Sequence, residues 1–210
     1  ICRWDQGAVF NATFYAFAAD ATISPNVPHP ALNFESNAFY GDYNLLLRMT
    51  AAAGTPATIL TLSTDNVITA LGVDRGTGKM LIATTSALNI SGTVSNINRL
   101  MWYDGFSNKV LKSVIVDDMI TGFNSLGNVT YVGYGQNLGY INGSGISFLR
   151  KMRNTTLAQQ SLLYKPNFAS IGSTLYVIDG DQILAHGPVL AGGGNVFYYL
   201  WQDAIKGKNE

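Results

Sequence analysis

Cysteine is almost missing from this chain of 210 residues: Cys2 stands alone, so no disulfide can form within the chain. Histidine is nearly as scarce. Only His29 and His186 are present, and any histidine-dependent mechanism must use one of them. Charge is also sparse, at 12% Asp, Glu, Lys and Arg against roughly 25% in ordinary soluble domains, and the 13 cations balance the 13 anions. Such a balance argues against nucleic-acid binding, which needs a basic stripe to neutralise phosphates; the longest basic stretch is Arg150-Lys151-Met152-Arg153. No apolar run reaches the 18 or so residues that a membrane-spanning helix requires. The chain opens on Ile1, which suggests processing or a boundary within a longer polypeptide.

What the sequence does contain is a repeat. Leu126 to Leu138 and Ile171 to Ile183 are near copies, with each aligned position 45 residues apart. A looser copy begins at Gly78, 49 residues before Gly127, and Ile68-Thr69-Ala70-Leu71 echoes Ile120-Thr121-Gly122-Phe123 at a spacing of 52. A period of this size marks stacked supersecondary units. Within each copy, residues alternate about a glycine-centred turn such as Asp179-Gly180, the pattern of a hairpin.

Extending the copies predicts four short strands per unit. One unit takes Val67 to Val73, Met80 to Thr84, Arg99 to Tyr103 and Val110 to Val116, with Asp104-Gly105 opening the last connection. The next takes Ile120 to Asn124, Thr130 to Tyr134, Ile146 to Met152 and Ser161 to Lys165, and the last Phe168 to Ile171, Leu175 to Ile178, Ile183 to His186 and Val196 to Trp201. Residues 1–56 are less regular. Ala8 to Ala19 and Leu45 to Thr50 read as strands around the Pro-rich segment Ser24 to Pro30, although Leu45 to Met49 before Gly54 also suits a short helix; Ala57 to Ser63 would complete a first, irregular unit. The chain thus divides into 1–56 and a repeat region, 57–210, of about three units.

Four antiparallel strands per repeat over Ala57 to Trp201 resembles a β-propeller, and the resemblance implies an all-β array of blades, either a four-bladed ring or a partial ring. A strand around Val9 to Phe14 would then be available to the last blade. Low charge with abundant Gly, Asn, Thr and Tyr also resembles tail, fibre and baseplate proteins of bacteriophages, and implies a virion or extracellular location. On this resemblance the chain is a non-enzymatic structural or receptor-binding module. Its partners would be other subunits of an assembly and cell-surface glycans, with no nucleic acid, no membrane span and no cofactor. A secreted carbohydrate-binding propeller or glycoside hydrolase is the alternative.

Candidate site residues follow from where aromatic and acidic side chains meet turns. Trp102, Tyr103, Asp104, Tyr134, Tyr140, Asp179 and Asp181 form the expected ligand-binding set, with Trp102, Tyr134 and Tyr140 expected at the surface; Tyr131 and Tyr176, equivalent in the repeat, are expected in the core. Asp117-Asp118 offers a carboxylate pair, and Asp179-Gly180-Asp181 a turn of the kind that also serves calcium. Gly76-Thr77-Gly78-Lys79 has the outline of a phosphate loop, but Val73 and Met80 occupy positions that need Gly and Ser or Thr, so it is expected to be a hairpin turn. Five Asn-x-Ser/Thr sequons occur, at Asn11, Asn89, Asn128, Asn142 and Asn154.

Overall fold

In a computed structural model, the backbone is described for residues 3–10, 13–19, 30–35, 37–50, 55–90, 93–152, 168–171, 174–179, 182–186 and 197–199, and side chains for 30–35, 37–50, 55–86, 96–152, 174–177 and 185. Every element among them is a strand. β1 (Arg3–Phe10) and β2 (Thr13–Ala19) form a hairpin, sheet A; β3 (Ala31–Phe34), β4 (Asn37–Asp42), β5 (Leu45–Thr50) and β6 (Ala57–Thr61) form sheet B. Sheet C consists of β7 (Asn66–Asp74), β8 (Lys79–Ile90), β9 (Thr93–Asp104) and β10 (Lys109–Val116). Sheet D follows with β11 (Ile120–Leu126), β12 (Val129–Tyr134), β13 (Asn137–Asn142) and β14 (Gly145–Lys151), and sheet E with β15 (Phe168–Ile171), β16 (Thr174–Asp179), β17 (Gln182–His186) and β18 (Phe197–Tyr199). Each of sheets B to E is an antiparallel meander in chain order.

The sheets stack in sequence, and the first strand of each packs against the first strand of the next: β3 on β7, β7 on β11, β11 on β15. Side chains alternate between the two faces of a strand, so an internal sheet feeds two cores at once. Phe39 and Leu46 of sheet B meet Ile68, Leu71, Met80, Ile82, Met101 and Tyr103 of sheet C in one core. The opposite face of sheet C sends Ala70, Leu81, Ala83, Leu100 and Trp102 against Ile120, Val132, Tyr134 and Ile141 of sheet D. A third core joins Leu126, Tyr131 and Leu138 of sheet D to Leu175 and Val177 of sheet E.

The sequence repeat is a structural one. Tyr131 pairs with Tyr140, Val132 with Gly139 and Tyr134 with Asn137; 45 residues on, Tyr176 pairs with Ala185, Val177 with Leu184 and Asp179 with Gln182. Val132 and Val177 both face the preceding sheet. The Ile-Thr echo proves to be a shared β-bulge. Pairing slips between Ile68 and Ala70 and again between Ile120 and Gly122, so Thr69 and Thr121 are the extra residues. An added residue re-aims the strand. It therefore lets Ile68 and Leu71, and likewise Ile120 and Phe123, turn toward the same preceding sheet although they are three apart.

Several expected boundaries shift. Ala8 to Ala19 is two strands in a hairpin, with Phe10 paired to Thr13, and Leu45 to Thr50 is extended rather than helical because Asp42↔Leu45 closes a two-residue turn onto β4. β1 pairs with β2 and packs near β3 and β4, while β18 supplies the fourth strand of sheet E; among the described residues the segment Val9 to Phe14 joins no sheet but its own hairpin. In sheet D the third strand is β13 and the fourth is β14; the strand expected at Ser161 to Lys165 falls outside the described residues. β13 escapes a sequence reading because Asn137, Gly139 and Asn142 carry little strand propensity.

Candidate functional site

Sheets C and D are joined by the connector 117–119, running from β10, the last strand of sheet C, to β11, the first strand of sheet D. Beside it, at the strand ends, a cleft of about 570 Å³ opens between the sheets. Its sheet C wall carries Asn96 and Asn98 of β9, its rim carries Asp117 and Asp118, and sheet D supplies Thr121, Gln136, Asn137 and Lys151. A smaller cleft of about 290 Å³ adjoins it through Asp117 and is lined by Val114, Val116, Tyr134 and Ile146.

Local backbone chemistry fixes this rim. The β12–β13 turn needs a left-handed residue, which Gly135 supplies at φ 51°. Its N–H donates to the Met119 carbonyl at 2.9 Å, and the Gln136 carbonyl accepts from the Met152 N–H at 2.8 Å, tying the turn to the connector and to the end of β14. Lacking a Cβ, Gly135 also lets Asp118 lie against it: a side-chain carbon there would sit 2.5 Å from the Asp118 carboxyl carbon. Asn137 Nδ2 donates to Asp118 Oδ2 at 3.4 Å. Asp118 is thereby held between turn and connector.

Asn98 also lines the cleft. It is 5% exposed, pairs with Val116 on one side and Thr85 on the other, and its Oδ1 has no hydrogen-bond partner. An unmade acceptor of this kind costs about 1–3 kcal/mol, so something is expected to donate to it. The field around the rim is negative. Burial, followed by the Asp117 and Asp118 carboxylates, raises the Tyr134 phenol above its ordinary value.

The expected aromatic set lies elsewhere. Trp102, Tyr103 and Tyr134 are buried, not surface platforms, because both faces of an internal sheet are covered by neighbours. Trp102 donates its indole N–H to Asp74 Oδ2 at 2.7 Å, and the Lys112 ammonium lies 4.7 Å from the ring centroid. The Tyr103 hydroxyl lies 3.4 Å from the Ile59 carbonyl and 3.3 Å from Asn108 Oδ1, and burial raises its pKa. Asp104 is a turn residue: its carboxylate accepts from Ser107 Oγ at 2.9 Å, the Phe106 N–H at 3.3 Å and Lys79 Nζ at 3.4 Å, and the Ser107 bond leads the causes that lower its pKa.

Asp74 does the same in the turn Asp74 to Lys79, accepting from the Gly76 N–H and Thr77 Oγ1 at 2.9 and 2.8 Å. The expected hairpin is therefore observed there. Asp104 lies six residues along β9 from Asn98, about 20 Å at 3.3 Å per residue, so Trp102, Tyr103 and Asp104 belong to the other end of the sheet from the cleft. Tyr134 reaches the smaller cleft and Tyr140 is half-buried beside the D–E core. Tyr131 is in the core as expected, and Tyr176 is partly buried. Asp179 ends β16, and Asp181 falls outside the described residues, as do His29 and Cys2.

Sequence reasoning weighed Asp117-Asp118 but passed over Asn96, Asn98, Gln136 and Asn137. For Gln136 the signal is the repeat itself, since Tyr134-Gly135-Gln136 aligns with Asp179-Gly180-Asp181 across the 45-residue spacing; no pattern in the sequence marks Asn96 or Asn98. Among the described residues no group of three His, Cys, Asp or Glu is placed to hold a metal ion. None of the helices needed for a membrane span is found there either.

No family model matches the chain, and no curated protein matches it. Among solved structures it is similar to a crystal structure of a functionally unknown protein from Desulfotomaculum acetoxidans DSM 771, at 11% identity and a TM-score of 0.50. The match covers 90% of this chain and 61% of that one, so this chain spans less than two thirds of the similar protein's length. At this identity the likeness concerns the fold alone.

Proposed function

We propose that this chain is a non-enzymatic structural or receptor-binding module of an extracellular or virion assembly, and that its sheets are blades of a β-propeller-like array. The observation that carries the reading is the edge of sheets C and D, which among the described residues has no strand paired to it. β10 and β14 are the last strands of their sheets, and they expose Leu111, Ile115 and Phe148 at 54%, 70% and 61%, with Phe106 at the adjoining turn at 85%. An unpaired strand edge bearing large apolar side chains is a template for pairing with another chain. A second copy of this chain is the simplest occupant, since one edge presented twice about a two-fold axis is self-complementary.

Succession of first strands β3, β7, β11 and β15 supports the blade reading, because a ring or an arc of blades requires the same strand to lie innermost each time. Hydrolysis is the weaker alternative. A glycosidase sets two carboxyl groups on opposite sides of a scissile bond, whereas Asp117 and Asp118 are consecutive on one rim of the cleft.

Light scattering on the purified chain over a range of concentrations tests the assembly reading. Association is expected, and Ile115→Lys with Phe148→Lys is expected to abolish it with no loss of thermal stability. A chain that stays monomeric at every concentration, or oligomers indifferent to both substitutions, would overturn it.

A further inference from the structure

The cleft between sheets C and D has a chemistry that the outer edges lack. We propose that it is a saccharide site, binding a hydroxyl-rich ligand through amides and carboxylates. Asn98 lines the cleft, and its buried Oδ1 has no partner, so any group brought to it must donate. Asp117 and Asp118 at the rim are acceptors as well. Two carboxylates and an orphan amide oxygen reject an anionic ligand and select a donor, either a hydroxyl or a cation.

Two details choose the hydroxyl. Asn137 Nδ2 already directs an N–H toward Asp118 Oδ2, and Lys151 brings a positive charge into the same cleft. A calcium ion wants six to eight oxygens and no ammonium neighbour. A sugar hydroxyl, which donates and accepts at once, fits a wall where carboxylates alternate with amides: it can give its proton to Asp118 and receive one from Asn137 or Gln136. The volume, about 570 Å³, lies in the range of small-molecule sites.

Preorganisation comes from the backbone bonds of Gly135 to Met119 and of Met152 to Gln136, which fix the rim before any ligand arrives. The site supplies the receptor-binding half of the module reading. It fails separately from the assembly half, because it uses none of the exposed apolar residues Phe106, Leu111, Ile115 and Phe148 and is measured by ligand binding rather than by oligomeric state.

The full chain applied to an array of immobilised neutral and acidic oligosaccharides tests this, with free forms of the bound sugars then titrated calorimetrically. Binding of one or a few neutral saccharides is expected. Asp118→Asn and Gln136→Ala should each weaken it about tenfold, the loss that one hydrogen bond to a positioned group implies. Gln136 projects from a turn whose backbone makes the structural bonds, so its truncation should leave the melting temperature unchanged. An array on which nothing binds, binding that survives both substitutions, or a calorimetric response to calcium chloride alone would each overturn the proposal.

Discussion

Trp102 shows how a single side chain can mislead a linear reading. The tripeptide Trp102-Tyr103-Asp104 stands beside a turn and has the look of an exposed platform, yet its indole N–H is spent on the buried carboxylate of Asp74. Replacing Trp102 by Phe keeps most of the ring and removes the donor, leaving Asp74 one hydrogen bond short; a loss of about 1–3 kcal/mol is expected in urea unfolding. Asp74→Asn should cost less on top of that change than alone, as a double-mutant cycle would reveal. Packing at Gly72 makes a second case. A methyl group there would lie 2.6 Å from the Phe123 Cβ, an atom that no rotamer change can move, so Gly72→Ala is expected to lower stability by about 1–3 kcal/mol. Alternation cannot sort such positions into inside and outside when both faces of a sheet are covered, and this is why Trp102 and Tyr134, expected at the surface, are buried.

Strands rich in β-branched residues between glycine turns were legible, and sheet C was anticipated strand for strand. β3, β4 and β13 escape the sequence reading because Asn or Gly interrupts each; their pairing is enforced by the tight turns that flank them rather than by their own propensity. The bulges were present in the sequence as an Ile-Thr echo, but a repeated tetrapeptide does not say that its second residue is left out of the ladder. Turn conformation offers a clean test at this scale. Gly78 and Gly143 both have open space around them, but Gly78 sits at φ 69°. Gly78→Ala is therefore expected to cost roughly 1–2 kcal/mol, and Gly143→Ala nearly nothing, in thermal melts run side by side. Turn chemistry also bears on the sequons: Asn142 Nδ2 is engaged by Ser147 Oγ and its Oδ1 accepts from the Ser144 and Gly145 N–H groups, whereas Asn128 lies exposed. Of the two, Asn128 is the better glycan acceptor, and mass spectrometry of chain made in a secretory host should find it modified first.

At the scale of the molecule, the described residues divide their buried side chains among three cores, each shared by two successive sheets, and tyrosines recur in all of them. Tyr103, Tyr131 and Tyr134 lie one to each core, and burial raises each phenol above the ordinary value of 10.0. A phenol held neutral by burial favours the folded chain, fully so below pH 10.0, and that advantage is lost as the pH climbs through the raised value. Melting temperature should accordingly hold steady from neutral pH and fall above about pH 10, and Tyr131→Phe should shallow the fall; an unchanged alkaline limb would count against the burial of these hydroxyls. The 45-residue period made this layered plan readable in advance, since equivalent residues had to meet equivalent neighbours. The cleft was not readable, because its walls belong to two sheets whose juxtaposition no local pattern encodes.

Gly41 receives Ile68 from the following sheet, just as Gly72 receives Phe123. Each notch is matched to one peg, so a side chain added at either glycine would press on its peg and hold the two layers apart. Succession along the stack is thus written in shape as well as in chain connectivity, and a shuffled or duplicated layer would have to carry its matching partner along with it.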